Sequence, residues 1–202
     1  MTEGNRFERV QRQVFERLIR ELDPRLHYHN IGHTRNDVMP AVRRLAEAEG
    51  VGESDLDVLM TAALLHDMGF LERYEGNEEV AARMAGEMLP EFGYTSAQIE
   101  CISGIIMATQ VPQAPQTALQ TIMCDADLDS LGREDFFSRS MDLRQEQCDF
   151  VEYISLRDWL EFELTFLEGH QYFLDTTKSL RDEGKARNIE ELKKLFARVA
   201  QA

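Results

Sequence analysis

The chain has 202 residues, 43% of them hydrophobic, which suits a single domain over residues 1–202 with a sizeable core. Its formal net charge of −15 argues against a nucleic-acid polymer as partner, because phosphate backbones are bound through clustered Lys and Arg. Three cysteines without a Cys-x-x-Cys pair argue against a disulfide framework, and no apolar run is long enough to span a bilayer. We therefore expect a cytoplasmic protein with no membrane partner.

The first third of the chain shows helical periodicity. Apolar residues recur at helical spacing over about Asn5 to Leu22, which predicts an amphipathic helix. After a polar turn that contains three histidines, a second helix is predicted from about His33 to Glu49, with a kink at Pro40. Ser54 is predicted to cap a third helix, which runs to His66.

The remaining segments are predicted as helices too. Asn77 is expected to cap a helix that reaches Leu89, and Thr95 or Ser96 to cap the next one. Further helices are predicted at about 97–108, 117–131, 134–147, 155–177 with a break near Gly169, and 189–200. Because no segment alternates convincingly with period two, the fold class is predicted to be all-α.

A histidine and an aspartate stand side by side where the third helix ends. The apolar helix runs into His66 and Asp67, and Gly69 follows as its end. Adjacent residues point about 100° apart on a helix, but at a fraying helix end both side chains can turn toward one ion. Imidazole nitrogen and carboxylate oxygen together suit several divalent metals. Two ligands do not make a site, so others must converge on them.

Asp127 and His33 are the candidates for the remaining ligands. Asp127 lies in an otherwise apolar helix, where a buried carboxylate is costly unless it is paired or bound to metal. A salt bridge with an arginine explains Asp127 equally well at this stage. His33 starts a helix, and for it the alternative is an ordinary hydrogen-bonded histidine.

Taken in order, His33, His66-Asp67 and Asp127 resemble the H…HD…D metal-binding signature of the HD superfamily of metal-dependent phosphohydrolases. The similarity covers about Tyr28 to Phe136. Its three motifs are Tyr28–Thr34, His66–Phe70 and Asp125–Gly132. The resemblance implies an all-α HD-domain helical bundle, with an HD core at about 24–136 and additional C-terminal helices at about 137–202.

Two departures from the family pattern limit what the resemblance implies. Many relatives carry further histidines that help to hold a second metal, but the corresponding stretches here, 76–79 and 106–110, contain none. The expected cofactor is therefore one divalent ion, which can be Mn, Fe, Ni, Co, Zn or Mg. Many relatives also carry a lysine after His-Asp-x-Gly, where Phe70 stands in this chain.

The resemblance implies a metal-dependent phosphohydrolase that uses metal-activated water. The expected substrate is a phosphomonoester or phosphodiester of a small molecule, with a nucleotide as the favoured class. Four ligands leave one or two positions of an octahedral shell open for water. The first alternative is a non-catalytic metal-bearing HD module that binds a nucleotide or a partner. A weaker alternative is an HD-type iron oxygenase, which usually needs more histidines.

Other polar residues flank the presumed cleft. Asp67, Glu78 and His29 are the predicted catalytic residues, the last two as general base or as groups that orient a ligand. Arg35 and Arg73 are the predicted phosphate partners, because each lies near a ligand in sequence. The alternatives are a helix N-terminal charge for Glu78 and solvated surface cations for the arginines. The expected partner is thus a small phosphate ester, and a homodimer is left open.

Overall fold

The computed structural model describes residues 5–199, which form helices, turns and loops without a strand in this range. The prediction of an all-α fold is confirmed. Within the same range, no helix combines the length and the apolar character needed to cross a membrane. The contacts divide the described residues into two compact units, the first holding residues 29–127 and those up to Pro24, the second residues 25–28 and those from Leu128 onward.

The first unit is built around its third helix. Its α-helices are α1 (Arg6–Glu21), α2 (Met39–Ala48), α3 (Glu53–Leu65), α4 (Asn77–Met88), α5 (Ser96–Met107) and α6 (Ala118–Asp127). The last eight residues of α3, from Val58 to Leu65, are all buried. A helix that is buried on every side must be surrounded by others, and α3 packs against α1, α2 and α5. The end of α3 therefore lies inside the unit.

Two of the short helical turns in this unit lie next to α2 and α3. A π-helical turn at His33–Val38 leads into α2, so the segment predicted as one helix from His33 to Glu49 changes its winding along its length. Pro40 lies in the first turn of α2, where a missing N–H costs little. A 3₁₀ turn, Met68–Leu71, follows α3. Such wider or tighter turns are frequent next to functional sites.

One of the three predicted helix caps is confirmed, and two are wrong. Thr95 caps α5 as predicted, and its hydroxyl accepts a hydrogen bond from the Gln98 amide. Ser54 is not a cap, because α3 already begins at Glu53. Asn77 is the first residue of α4 and not its cap, because Gly76 takes the left-handed conformation (φ 67°) that brings the chain into the helix.

The second unit is formed by the C-terminal helices α7 (Phe136–Phe150), α8 (Leu156–Gly169) and α9 (Asp175–Val199). Its buried core consists of apolar and aromatic side chains, namely Leu131, Phe136, Leu160, Leu167, Tyr172 and Leu192. The break predicted near Gly169 is confirmed, since α8 ends there. Ala200, the predicted end of the last helix, lies outside the described residues.

Residues 178–188 were predicted to lie outside a helix, and this prediction is wrong. They belong to α9, which runs unbroken through Gly184. A Cβ atom on Gly184 would lie 2.0 Å from the carbonyl oxygen of Gly132, in the 3₁₀ turn Asp129–Gly132. Gly184 therefore lets the backbone of α9 lie close to the backbone of Gly132. In the sequence, the same glycine within a charged stretch indicates a loop.

Glu163 gives the second unit a pH-dependent stability. Its side chain on α8 is buried, and burial raises the pKa of its carboxyl to about 7 from 4.5. The unfolded chain releases this proton at lower pH than the folded chain, so stability should fall as pH rises from about 4.5 to 7. A shift of this size corresponds to about 3 kcal/mol of unfolding free energy. Denaturant unfolding of Glu163→Gln between pH 4.5 and 8 should show a correspondingly flatter pH dependence.

Glu161→Gln is the matched control, because Glu161 is exposed on the same helix. It should keep the pH profile of the wild type. Identical pH profiles for Glu163→Gln and the wild type would show that the buried carboxyl does not titrate in this range.

Candidate metal centre

His66 and Asp67 leave the end of α3 side by side. His66 is buried, and its Nδ1 lies 2.8 Å from the carbonyl oxygen of Ala63. A neutral His66 donates its proton there, which leaves the lone pair of Nε2 available as a ligand. The backbone of Asp67 has left the helical conformation (φ −95°, ψ 3°). Its carboxylate therefore turns to the same side, and Asp67 Oδ2 lies 3.1 Å from His66 Nε2.

Gly69 explains how this helix end is held in place. A Cβ atom at this position would lie 1.8 Å from the carbonyl oxygen of Asn77, the first residue of α4. Only a glycine lets the turn Met68–Leu71 pack so closely against the start of α4. This packing supports the chain immediately after Asp67.

His33 reaches the same place from the π-helical turn. The side-chain oxygen of Asn30 accepts hydrogen bonds from the amides of Gly32 (2.7 Å) and His33 (3.3 Å), which orients the start of this turn. Asp37 lies one turn further on, with Oδ2 3.9 Å from His33 Nδ1. Asn30 and Asp37 were not among the predicted site residues. The available signal was the spacing of four between a predicted ligand and an acidic residue, which places both on one helix face.

Asp127, the last residue of α6, completes the cluster. Its Oδ1 lies 3.4 Å from His33 Nε2 and 3.5 Å from His66 Nε2, and Asp67 Oδ2 lies 3.7 Å from His33 Nε2. The structure thus brings the four predicted ligands together. The salt bridge considered for Asp127 is instead made by Asp129, which accepts two hydrogen bonds of 2.8 Å from Arg181.

The distances between the predicted ligand atoms, and two buried atoms that lack a hydrogen-bond partner among the described residues, fit a divalent ion. Ligands about 2.1 Å from one ion lie about 3.0 Å apart in an octahedral shell and about 3.4 Å apart in a tetrahedral one. The four distances in this cluster run from 3.1 to 3.7 Å. His66 Nε2 and Asp67 Oδ2 are buried, and neither has a hydrogen-bond partner among the described residues. Such atoms are costly to bury unless something else, such as a metal, binds them.

The charges in the cluster also favour a cation. Burial by itself raises the pKa of both carboxyls, but His66 lowers the pKa of Asp67, and the nearby rings of His33 and His66 hold the pKa of Asp127 well below its usual range. Burial likewise opposes the charged form of His66, yet the two carboxylates raise its pKa. Two carboxylates therefore stay ionised inside the unit. The cluster can hold a divalent ion.

His29 and Glu78 lie on segments that border the cluster. The ring of His29 contacts that of His33 edge-on, with centroids 5.9 Å apart, and it stacks on Phe70 with centroids 4.3 Å apart. Glu78 lies in the first turn of α4, and its Oε2 is buried without a hydrogen-bond partner among the described residues. The catalytic roles of both residues stay predictions.

The two predicted phosphate partners make other contacts. The guanidinium of Arg35 lies 5.8 Å from the ring centroid of Phe15, on α1. Arg73 donates to the carbonyl oxygen of Gly76 and to the carboxylate of Glu79, each at 2.6 Å. Both arginines are exposed. These contacts resemble those of ordinary surface cations, and a substrate role for either stays a prediction.

Comparisons with known proteins place the fold. No protein-family model matches the chain, and no curated protein matches it. A solved structure described as a predicted HD superfamily hydrolase, from an uncultured Thermotogales bacterium, is similar to it with a TM-score of 0.65. The two share 19% sequence identity, and the match covers 98% of this chain and 95% of the other. The chain therefore shares the all-α fold of that structure.

Proposed function

We propose that this protein is a metal-dependent phosphohydrolase that cleaves a phosphoester of a small molecule. The observation that carries the proposal is the convergence of two imidazoles and two carboxylates, with His66 Nε2 and Asp67 Oδ2 buried and without a hydrogen-bond partner among the described residues. The similarity to a protein described as a hydrolase supports the same class by analogy of fold.

His33, His66, Asp67 and Asp127 would hold one divalent ion. When bound, such an ion supplies a water of lowered pKa and polarises a phosphoryl oxygen. The mixed nitrogen and oxygen ligand set accommodates Mn²⁺, Fe²⁺, Ni²⁺, Co²⁺, Zn²⁺ or Mg²⁺. The positive charge of the ion would also offset the repulsion between an anionic substrate and a chain of net charge −15.

We assign proton transfer to His29. Its ring is half-buried, stacks on Phe70 and lies beside His33, so it borders the cluster without being one of the four ligands. An imidazole can carry a proton near neutral pH. In this role a ring nitrogen of His29 gives its proton to the alcohol oxygen that leaves phosphorus. Glu78, with its unpaired Oε2, is the second candidate for moving a proton.

The proposal extends to a nucleotide as the phosphoester. Aromatic side chains border the cluster, and no lysine follows Gly69 to bind a further phosphate group. A flat aromatic surface suits the base of a nucleotide better than it suits a second anionic group.

The test is a substrate panel on protein stripped with a chelator and reloaded with each of the six ions. The panel contains nucleoside monophosphates, cyclic nucleotides and the mono- and bis-p-nitrophenyl phosphates. We expect turnover only after metal is restored, and none in Asp127→Asn. If every ion binds stoichiometrically and no ester in the panel is cleaved, the proposal is wrong.

The alternative is a non-catalytic module that binds a nucleotide. It is favoured by Phe70 at the position of the missing lysine and by the absence of further histidines in 76–79 and 106–110. This alternative predicts saturable nucleotide binding that raises the melting temperature without product formation. The same panel, read by thermal shift as well as by phosphate release, separates the two functions.

A further inference from the structure

The rings of His29, Phe70 and Tyr74 form a series of contacts beside the cluster of predicted metal ligands. His29 stacks on Phe70 with ring centroids 4.3 Å apart and planes 24° apart. Phe70 in turn contacts Tyr74, with centroids 5.4 Å apart and planes 60° apart. The first ring of the series, His29, touches the predicted ligand His33. All of these rings belong to the first unit, so a series of aromatic contacts leads from the predicted ligand His33 to Tyr74.

Phe70 and Tyr74 remain half-buried in this arrangement. The residues of α3 from Val58 to Leu65 are all buried, whereas part of these two aromatic rings stays accessible beside a polar cluster. Phe70 lies in the turn Met68–Leu71, which Gly69 holds against the start of α4. The ring is therefore presented on a supported backbone, and little entropy is lost when a ligand stacks on it.

The charged group nearest to these rings in sequence is already engaged by other residues. The cation closest to them in sequence, Arg73, is held by Glu79 and by the carbonyl oxygen of Gly76. One face of the Phe70 ring is covered by His29, so a bound base would contact its other face. Such a surface favours a planar aromatic group over a second phosphate.

We propose that Phe70 and Tyr74 receive the base of a nucleotide whose phosphate lies at the cluster of His33, His66, Asp67 and Asp127. The proposal rests on the function proposed above for the position of the phosphate. It adds that discrimination between a nucleotide and other phosphate esters comes from stacking on these two rings. Every nucleobase has a π-face, so we expect little discrimination among the bases. We expect strong discrimination against phosphate esters that carry no base.

The test compares two esters that differ only in the base, adenosine 5′-monophosphate and ribose 5-phosphate. The wild type should prefer the nucleotide in kcat/KM, and Phe70→Leu should lower the ratio of the two kcat/KM values about tenfold, because leucine keeps the apolar bulk without the π-face. The change should lie mainly in KM for the nucleotide. Tyr74→Leu should shift the ratio in the same direction. Tyr153→Leu is the control, since Tyr153 is 80% exposed in the second unit.

The outcomes separate this proposal from a structural role of Phe70. If Phe70 only orients His29, its replacement lowers kcat for both esters equally and leaves their ratio unchanged, which overturns the proposal. If the wild type cleaves neither ester, titration calorimetry of the Mn²⁺-loaded protein replaces the kinetics. Adenosine monophosphate should then bind about tenfold more weakly to Phe70→Leu than to the wild type. Equal affinity, or no binding to the wild type, overturns the proposal.

Discussion

Replacing Asp67 with asparagine should remove the bound metal and the hydrolytic activity together, while the helices remain folded. Asparagine keeps the size of the side chain, but its neutral amide oxygen binds a divalent ion more weakly than a carboxylate does. Loss of a residue that only supports a metal ligand typically lowers metal affinity or activity by about 10- to 100-fold. Loss of the ligand itself should therefore lower kcat/KM by more than about 100-fold. Metal analysis after gel filtration, initial rates and circular dichroism measure the three effects.

Asp142→Asn is the matched control for this experiment. The side chain of Asp142 on α7 is 42% exposed, and its Oδ2 lies 3.9 Å from Arg139 Nη1, a weak surface contact. The control should keep both metal and activity. If Asp67→Asn retained one ion per chain, Asp67 would not be a ligand, even if turnover were lost.

Gly69→Ala should destabilise the fold strongly and weaken metal binding at the same time. The added methyl group would lie 1.8 Å from the carbonyl oxygen of Asn77, and backbone atoms cannot move aside as the end of a flexible side chain can. Overpacking of this kind costs about 3 kcal/mol or more. The turn that follows Asp67 must shift to relieve the clash, which moves the carboxylate relative to His66. Denaturant unfolding and Mn²⁺ titration measure the two effects.

Gly86→Ala is the control, and it should change the free energy of unfolding in the opposite direction. Gly86 lies exposed within α4, and a Cβ atom there would meet nothing within 4 Å. Alanine at such a helical position should stabilise the protein by about 0.5–1 kcal/mol. A Gly69→Ala protein as stable as the wild type, with unchanged metal affinity, would contradict the role given to the turn.

The helical fold was accessible from the sequence because apolar residues recur at helical spacing along most of the chain. In α1, Val10, Val14 and Leu18 are buried at helical spacing, and Asn5 forms a capping box with Glu8. The errors arose where a tertiary contact decides the local structure. Gly184 continues α9 because Gly132 packs against it, and no local pattern carries that information.

The cluster was predicted from the order and spacing of three motifs, which the fold brings together in space. The details that orient it were not accessible from the sequence. The bond of His66 Nδ1 to the Ala63 carbonyl depends on how the helix ends, and the position of Asp37 depends on the π-helical turn. The sequence also could not show that Asp129, and not Asp127, pairs with an arginine.

The central claim is that one divalent ion binds between His33, His66, Asp67 and Asp127. Crystals grown with Mn²⁺ and measured at its absorption edge test it most directly. The claim predicts one strong anomalous peak about 2.1 Å from His33 Nε2, His66 Nε2 and a carboxylate oxygen of each aspartate. A fully loaded crystal whose manganese lies elsewhere, with the four side chains bonded only to one another, would contradict it.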